Sequence, residues 1–230
     1  MCGRFARYSL SRELERHFNT HPSSFEIQPS YNVAPAQELP VIVLQQDERR
    51  IKKRRWGLVP FWAKDISMGA RMINARVETL SSKPAFKAAL KHRRCLIPAN
   101  GFYEWFGKAG SKQPYYFHLP SGEPFAFAGL YEIWEDKEAR PGAGPYKSCT
   151  IITTEASESV KDVHNRMPLI LKPEVYDAWL DPENQEVARI EELLKTGYVK
   201  ELKRYPVSRM VNPVGNDKKE CMEPLKESGD

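Results

Sequence analysis

The sequence predicts a single α+β domain with a mostly antiparallel, barrel-like sheet core and several short helices. From Arg94 onward, strand-like segments follow one another without intervening helices, which favours antiparallel pairing over a doubly wound parallel sheet. The 18 prolines and 13 glycines predict many turns, and hydrophobic residues at 41% of a 230-residue chain can fill a sizeable core. We therefore expect one domain over residues 1–230, with a frayed tail from about residue 216, where apolar residues are sparse.

The N-terminal part predicts a short helix, then an ordered loop and a hairpin. Ser9 or Ser11 can cap a helix that runs through Phe18. Leu10, Leu14 and Phe18 recur at a four-residue spacing that places them on one helix face. The next elements are an ordered loop over residues 22–40, a buried strand at Val41–Leu44 and its hairpin partner at Arg50–Leu58.

A second helix and a series of strands are predicted in the rest of the chain. Pro84 suits the first turn of a helix that begins near Ser82 and ends at His92. A polar loop is expected over residues 137–145. Strands are expected at Cys95–Ile97, Gly101–Phe106, Tyr115–Leu119, Phe125–Trp134, Ser148–Thr154 and Leu169–Leu171, and helices at Ser157–Val163, Pro173–Leu180 and Glu186–Leu194.

The spacing of the cysteines and the hydropathy of the chain indicate its cellular location. Cys95, Cys149 and Cys221 are widely scattered, so they predict neither a zinc site nor a disulfide framework. We expect Cys95 and Cys149 in the cores of strands, and we expect no metal and no cofactor. No apolar run approaches the ~20 residues that span a bilayer, and the N-terminus lacks an apolar segment of signal-peptide type. These features predict a cytoplasmic protein without membrane contact, or a nuclear one in a eukaryote.

The charge balance leaves two interpretations open. The formal net charge is +5, which suggests a polyanionic partner but is a weak signal alone. The basic residues cluster in two runs, Arg49–Arg55 and Lys91–Arg94. Such runs can bind a polyanion, but lysine and arginine also protect exposed strand edges and solvate helix ends.

The first residues carry the sharpest chemical signal. If Met1 is trimmed, Cys2 carries a free α-amine beside its own thiol, which makes it a 1,2-aminothiol. An α-amine titrates at about 7.7 to 8.0 and a thiol at about 8.5, so a useful fraction of each is nucleophilic at neutral pH. The amine can condense with an aldehyde to an imine, and the thiol can close on the imine carbon to a thiazolidine, with an effective molarity on the order of 10⁵ M. An unprocessed or buried cysteine at a frayed terminus is the alternative interpretation.

Four polar side chains stand in apolar or turn-forming segments: Asn74, Asn100, Glu104 and His164. Aromatic residues flank Glu104, and burial among them should raise its pKa and suit it to proton transfer near pH 7. The alternatives are a solvated Glu104 on the outer face of a strand, a structural His164, and an Asn74 that caps its own turn.

Eight short motifs follow one another along the chain. They are Met1–Phe5, Tyr31–Pro35, Trp56–Pro60, Asn74–Thr79, Ile97–Trp105, Thr153–Thr154, His164–Pro168 and Pro206–Ser208. In this order they resemble the SOS-response-associated peptidase (SRAP) family, which is known for shielding abasic sites in single-stranded DNA. The resemblance extends from Cys2 to about Asn212 and covers essentially the whole domain.

The resemblance implies a set of catalytic residues. It makes Cys2 the nucleophile that joins the ring-opened sugar aldehyde through a thiazolidine, and Asn74 would hold the Cys2 terminus and the sugar by hydrogen bonds. Glu104 would move protons during ring opening and imine formation, and His164 would contact the opened sugar oxygen as acid or base. Reversal of the adduct and strand cleavage by β-elimination are side activities that the same groups could support. Met1 could be removed by the protein itself, as the family name implies, or by an aminopeptidase.

The resemblance also implies a basic groove for single-stranded DNA. The residues expected to contact DNA are Arg4, Pro35, Phe61, Trp62, Arg76, Trp105, Thr153 and Arg166. Arginines would meet phosphates and aromatic rings would stack on bases, each stacked base contributing roughly 1 to 3 kcal/mol. Core packing is the alternative for Phe61 and Trp62. The expected partner is single-stranded DNA with an abasic site, replication-fork proteins are further candidates, and we expect a monomer.

Two other classes of function remain open. A thiol peptidase would use Cys2, His164 and Glu104 on protein substrates, and it would react with peptide electrophiles but not with aldehyde-bearing DNA. A noncatalytic nucleic-acid-binding module would use the same basic groove. Its DNA association would survive Cys2→Ala, and no adduct would survive denaturation.

Overall fold

Strands account for most of the regular structure. A computed structural model describes residues 2–108, 110–136 and 144–225. Met1, Ala109, residues 137–143 of the loop predicted over residues 137–145, and the terminal residues 226–230 lie outside this described part. The strands are β1 Phe5–Arg7, β2 Ser30–Val33, β3 Glu38–Gln45, β4 Glu48–Trp56, β5 Asn74–Arg76, β6 Arg94–Ala99, β7 Gly101–Phe106, β8 Gln113–His118, β9 Phe125–Trp134, β10 Tyr146–Glu155, β11 Arg166–Pro168, β12 Ile170–Leu171 and β13 Lys203–Pro206.

Helices are short. The α-helices are α1 Ser11–His17, α2 Pro84–His92, α3 Tyr176–Leu180 and α4 Val187–Thr196. Short 3₁₀ helices cover Ile66–Arg71, Val77–Thr79, Pro173–Val175, Arg209–Val211 and Lys219–Met222. No helix in the described part of the chain combines the length and the apolar character needed to cross a bilayer.

The strands form two sheets. The smaller has the order β13-β8-β7-β1-β2 and is antiparallel throughout. The larger has the order β11-β10-β4-β3-β6-β9-β12, with β5 beside β10. Among the described strands, only the pairings of β10 with β4 and β5 are parallel. The predicted α+β, mostly antiparallel fold is therefore confirmed.

The barrel-like prediction needs a correction. Because β9 pairs with β10 as well as with β6, the strands β10, β4, β3, β6 and β9 close a circuit of pairings. Two junctions of the circuit have few paired residues. β3 pairs with β6 at one position, Ile42 with Leu96, and β4 pairs with β10 at two positions. The sheets are therefore not a clean barrel, since neither junction has a continuous ladder among the described residues.

The larger sheet separates two apolar clusters. Side chains alternate across a strand, so Ile42 of β3 faces one cluster while Val41 and Val43 face the other. The cluster of Ile42 includes buried residues of all four α-helices. The cluster of Val41 and Val43 includes Cys2. The sheet thus places Cys2 on the face opposite the helices.

Several predicted elements are confirmed with small shifts at their ends. β3 and β4 form the predicted hairpin, and its turn residues Gln46 and Asp47 have φ values of 54° and 60°. The predicted helix with Pro84 in its first turn is α2, and strands β7 and β9 have the predicted bounds. Cys95 and Cys149 are fully buried within β6 and β10, as expected.

The start of the first helix differs from the prediction. Leu10 is the residue before the helix, its backbone is extended, and its side chain is 57% exposed, so it does not share the buried face of Leu14 and Phe18. No side chain caps this helix. The hydroxyl of Ser11 instead accepts a hydrogen bond from the N–H of Ile27 at 2.9 Å, which ties the helix to the segment before β2.

One predicted loop and one predicted helix are also corrected. The predicted loop over residues 22–40 contains β2, because this segment finds a partner in β1 and pairs Val33 with Phe5. The predicted helix at 157–163 consists of turns. The N–H groups of Val160 and Val163 bond to carbonyls three residues earlier, and the hydroxyl of Ser159 bonds to a carbonyl of a distant segment.

The predicted fraying from residue 216 does not occur in residues 216–225. Cys221 is fully buried, and the carboxylate of Asp217 accepts the N–H of Asn32 at 2.8 Å. Leu225 donates its N–H to the carbonyl of Pro206 at 2.9 Å. Specific polar bonds therefore hold a segment whose low apolar content predicts disorder.

Candidate active site

Cys2 is buried and held by an amide from a neighbouring strand. Its side chain has no exposed surface, and the side-chain N–H of Asn74 donates to its carbonyl oxygen at 2.7 Å. Asn74 begins β5, where it pairs with Ile151 of β10. The side-chain oxygen of Asn74 is also buried and has no hydrogen-bond partner among the described residues. It is therefore an unused acceptor beside the chain end, whereas a buried side-chain oxygen usually accepts a hydrogen bond.

The thiol of Cys2 is protonated at neutral pH. Burial raises its pKa well above the ordinary value, and the negative charge of Glu104 raises it further. The thiol therefore needs a base to remove its proton when it reacts.

Glu104 supplies a carboxyl group with a pKa suited to that role. It lies on β7, is 4% exposed, and burial raises its pKa to about 7. β1 pairs with β7, with Phe5 opposite Phe102, so the strand that follows Cys2 runs alongside the strand that carries Glu104. Its protonated and ionised forms are both populated near neutral pH, which a group that both gives and takes protons requires.

His164 lies at the end of the turns that precede β11. Its Nδ1 accepts the N–H of Arg166 at 2.9 Å, so the neutral ring carries its proton on Nε2. Burial lowers its pKa below the ordinary value. A neutral imidazole with Nε2–H is a hydrogen-bond donor, which suits it to a developing negative charge on oxygen.

Lys112 connects Glu104 and His164 electrostatically. It is exposed just before β8, and its positive charge lowers the pKa of both groups against the stronger effect of burial on Glu104. Both residues therefore lie within the field of one ammonium group. The sequence alone does not single out this lysine, because no motif contains it.

Arg166 is bonded to an acid and to a neighbouring strand. Both of its terminal nitrogens donate to the carboxylate of Glu78, at 2.6 and 3.0 Å, and Nη2 also donates to the carbonyl of Thr153 at 2.7 Å. Thr153 is fully buried, so it supports Arg166 and presents no surface of its own. Arg76 is exposed at the end of β5. Of these two arginines, Arg76 is the one that is open to a ligand.

Arg4 and Trp105 form a cluster with the C-terminal segment. Arg4 donates to the side chain of Asn32 at 2.7 Å and to the carbonyl of Val211 at 2.8 Å. Its guanidinium lies 5.8 Å from the ring centre of Trp105, whose indole N–H donates to Asn212 at 2.8 Å. Both predicted DNA contacts are thus fixed in place by bonds within the protein.

Phe61 and Trp62 are surface residues. They are 56% and 46% exposed, so core packing is excluded as the reason for their presence. With Lys64 and Trp134 they line an open depression of about 390 Å³. Pro35, the remaining predicted contact, is half-buried in the turn after β2. Exposed aromatic rings beside a lysine are suited to stacking on planar ligands.

Two further residues, Glu78 and Asn32, support the site without having been singled out individually from the sequence. Glu78 and Asn32 belong to motifs, but their partners Arg166 and Val211 lie 88 and 179 residues away. Asn100 is a structural residue, because its side chain bonds to the backbone and hydroxyl groups around Ser9. Within the described residues, no group of three or more His, Cys, Asp or Glu side chains could hold a metal ion.

The fold and the site define a class: an α+β protein that presents a cysteine next to its N-terminus to an amide, a carboxyl group with a pKa near 7 and a neutral imidazole. The family described as SOS response associated peptidase (SRAP) matches residues 1–214. The chain belongs to this family.

Named relatives and solved structures agree with this membership. The chain is 42% identical over 226 residues to Abasic site processing protein YoqW of Bacillus subtilis (strain 168), covering 97% of this chain and 99% of that protein. It is 35% identical over 228 residues to Abasic site processing protein HMCES of Gallus gallus, covering 86% of this chain and 66% of that protein. A crystal structure of a protein from Bacteroides thetaiotaomicron matches with a TM-score of 0.85 and 25% identity over 98% of this chain and 100% of that one.

Proposed function

We propose that the protein binds single-stranded DNA that contains an abasic site and links itself covalently to the opened sugar through Cys2. The relatives named as abasic site processing proteins support the substrate class. The observation that carries the chemistry is the Asn74–Cys2 hydrogen bond of 2.7 Å, because it fixes the chain end beside an unused amide oxygen. Once Met1 is removed, that oxygen can accept an N–H of the new α-amine and orient its lone pair.

The proposed reaction opens the sugar ring, forms an imine and then closes a thiazolidine ring. An abasic sugar is mostly a closed hemiacetal, so a base removes the C1′ hydroxyl proton while an acid protonates the ring oxygen, which frees the aldehyde. The Cys2 amine adds to the aldehyde carbon, and the adduct loses one water to give an imine. The Cys2 sulfur then bonds to the imine carbon, and its proton moves to the nitrogen. The product is a thiazolidine, with one water released overall.

Glu104 and His164 divide the proton transfers. With a pKa of about 7, Glu104 can take the hydroxyl proton, protonate the departing water and accept the thiol proton in turn. His164 donates from Nε2 to the opened sugar oxygen, since its Nδ1 is occupied by the Arg166 N–H. Asn74 orients the nucleophile without protonating it.

The DNA strand follows the cationic and aromatic residues around this site. Exposed Arg76 meets a phosphate, and Phe61 and Trp62 stack on bases beside the lesion. Arg4, Trp105 and the half-buried Pro35 contribute to the same groove. Arg166 contributes through its guanidinium, and Thr153 contributes by holding Arg166. We also propose reversal and β-elimination as side activities of the imine.

The thiol peptidase alternative is less well supported. Such an enzyme needs a thiolate stabilised by an imidazolium, which requires a lowered pKa at cysteine and a raised pKa at histidine. Both shifts have the opposite sign here, because burial raises the pKa of Cys2 and lowers that of His164. Chemistry that begins at the amine and uses the thiol second does not meet this obstacle.

A denaturing gel tests the proposal. Purified protein without Met1 is incubated with an oligonucleotide that contains one abasic site, beside Cys2→Ser, Asn74→Ala and an undamaged oligonucleotide. We expect a stable shifted band when the native protein meets the abasic oligonucleotide, and none with the undamaged one. Cys2→Ser should give a labile or absent band, and Asn74→Ala should form the stable band about 10²-fold more slowly. If Cys2→Ser gives the same stable band, the thiazolidine is wrong. If no protein gives a band while DNA still binds, the protein is a noncatalytic binding module.

A further inference from the structure

The proposed function does not use the basic run Arg49–Arg55 of β4, and the structure divides its side chains into two groups. Arg49 and Arg50 each pair with a carboxylate. Arg54 is 7% exposed, and its guanidinium lies 5.1 Å from the ring centre of Tyr131. These three arginines are structural. The remaining basic residues of the run need a separate explanation.

The remaining cations line a recess of about 490 Å³ beside β4. Lys52, Lys53, Arg55 and Lys147 contribute to its lining, against a single carboxylate, Glu38. None of the four cations forms an ion pair with any residue of the described ranges. Lys53 lies 4.9 Å from the ring centre of Phe25, and Arg55 lies 5.9 Å from that of Tyr146 and donates to the carbonyl of Ala36 at 2.7 Å. Unlike Arg54, however, both side chains are exposed. The described lining of the recess therefore carries more positive than negative charge, which attracts an acidic ligand.

This recess is separate from the candidate active site. Along β4, Ile51 faces the helix-covered cluster, whereas Trp56 faces the cluster that contains Cys2. Because side chains alternate, Lys53 and Arg55 lie on the face of Ile51. The sheet itself thus lies between these two cations and Cys2.

The backbone beside the recess is an open strand edge. The hairpin of β3 and β4 has a two-residue turn, so Gln45 and Glu48 form its closing hydrogen-bonded pair. Hydrogen-bonded pairs recur at every second residue, so the backbone N–H and carbonyl groups of the even-numbered residues of β4 bond to β3. Those of the odd-numbered residues point to the other edge of β4. Arg49 agrees with this register, since its carbonyl accepts the N–H of His21 at 2.9 Å from outside the sheet. The odd-numbered backbone groups further along β4 therefore face the recess.

The edge of β4 is unpaired at two residues, Ile51 and Lys53. β10 joins β4 only from Arg55 onward, so no described strand lies beside Ile51 or Lys53. The Lys53 carbonyl accepts the side chain of Arg54 at 2.8 Å. The N–H and carbonyl of Ile51 and the N–H of Lys53 have no hydrogen-bond partner within the part of the chain that the structure describes.

We propose that the recess binds an extended acidic segment of a protein partner, which adds a short strand to this open edge. Ile51 and Lys53 offer backbone groups at the two-residue repeat of an extended peptide. Acidic side chains on the same side of that peptide would meet Lys53 and Arg55. Single-stranded DNA could meet the cations through its phosphates, but it has no alternating N–H and carbonyl groups to pair with the edge.

Fluorescence anisotropy with a labelled probe peptide of alternating glutamate and valine tests this proposal on the full chain. We expect saturable binding. Lys53→Glu with Arg55→Glu should weaken binding by at least about ten-fold, because like charges then face the peptide. Lys83→Glu with Lys87→Glu makes the same charge change at two exposed positions, the residue before α2 and a residue of α2, and should leave binding within about two-fold.

Two further probes separate strand addition from simple charge attraction on unmodified protein. A peptide of the same sequence with alternate backbone amides N-methylated should bind at least about ten-fold more weakly, because it cannot complete the ladder. Hydrogen exchange at the amides of Ile51 and Lys53 should slow when the unmodified peptide binds. Equal binding of the methylated peptide, equal loss in both double variants, no binding at all, or displacement of the peptide by an undamaged oligothymidine would each overturn the proposal.

Discussion

Both terminal nitrogens of Arg166 donate hydrogen bonds to the carboxylate of Glu78, at 2.6 and 3.0 Å. The pair joins two segments that carry site residues, since Glu78 lies on the turn after Asn74 and Arg166 lies two residues beyond His164. Arg166 also bonds to Thr153, and its side chain is 12% exposed. Any phosphate that reaches this arginine must therefore share a guanidinium that a carboxylate already holds.

We expect Glu78→Gln to tighten the binding of undamaged single-stranded DNA by about three-fold at low salt, since a competing negative charge is removed. Burial opposes ionisation of Glu78, but the hydrogen bond and charge of Arg166 lower its pKa, so the carboxylate is charged at neutral pH. Anisotropy titrations across a salt series measure the effect. Glu174→Gln is the matched control, because Glu174 is exposed on a separate turn. Weaker binding by the Glu78 variant would mean that the intact pair is the DNA-binding form of Arg166.

Glu104→Gln should stabilise the protein at high pH and slow adduct formation. The pKa of Glu104 is about 7 in the folded protein, against about 4.3 in an unfolded chain. Because the folded pKa is raised, ionisation favours unfolding, and the native protein loses up to about 4 kcal/mol as the pH rises from the unfolded pKa through the folded one. The glutamine variant avoids this loss.

Urea unfolding at several pH values measures that difference. The two proteins should have equal free energies of unfolding near pH 4 and differ most above about pH 7. A difference that does not change with pH would show that Glu104 keeps an ordinary pKa. Adduct formation by the variant at the native rate would remove Glu104 from the mechanism.

Lys112→Ala should shift the pH dependence of adduct formation to higher pH. The positive charge of Lys112 lowers the pKa of both Glu104 and His164, so its removal raises both values. The rate profile against pH, together with an NMR titration of the His164 ring, records the shift. Lys108→Ala is the control from the same exposed loop. Identical shifts in both variants would point to net charge instead of a local field.

Asn32→Asp should release the C-terminal segment. The side-chain N–H groups of Asn32 donate to the carbonyls of Val211, Pro213 and Asn216, and an aspartate would place a carboxylate against these acceptors. We expect a loss of about 3 kcal/mol or more in the free energy of unfolding. Limited proteolysis should cut the variant after residue 211 at concentrations that leave the native protein intact.

Asn212→Asp provides the contrast for that experiment. Its side-chain oxygen accepts the indole N–H of Trp105, and an aspartate keeps that acceptor. The variant should unfold within about 0.5 kcal/mol of the native protein. Equal resistance of both variants to protease would show that Asn32 does not anchor the segment.

Local patterns predicted the parts of the fold that depend on local contacts. The hairpin of β3 and β4, helix α2 with Pro84, and strand β9 follow from alternation, capping and turn residues within each segment. β2 was not predicted because it is a strand only by virtue of its pairing with β1, which the sequence of Ser30–Val33 does not contain. The same holds for residues 216–225, which polar bonds to distant groups keep in place.

The site divides in the same way. The raised pKa of Glu104 can be predicted from the aromatic side chains that flank it in the sequence. Lys112 acts on His164 only through its charge, across residues that are distant in the sequence, so no sequence motif predicts this role. Thr153 is a contrasting case, since this motif residue, expected to contact DNA, is fully buried and its carbonyl accepts a hydrogen bond from Arg166.

The attachment site of the DNA is the central claim, and mass spectrometry of the adduct tests it most directly. Protein without Met1 is reacted with an oligonucleotide that carries one abasic site, and both the intact adduct and its tryptic fragments are measured. We predict one oligonucleotide per chain, a mass equal to the sum of the two reactants less one water, and attachment within the peptide Cys2–Arg4. Attachment at another residue such as Lys112, or an equal yield of stable adduct from protein that retains Met1, would contradict the account.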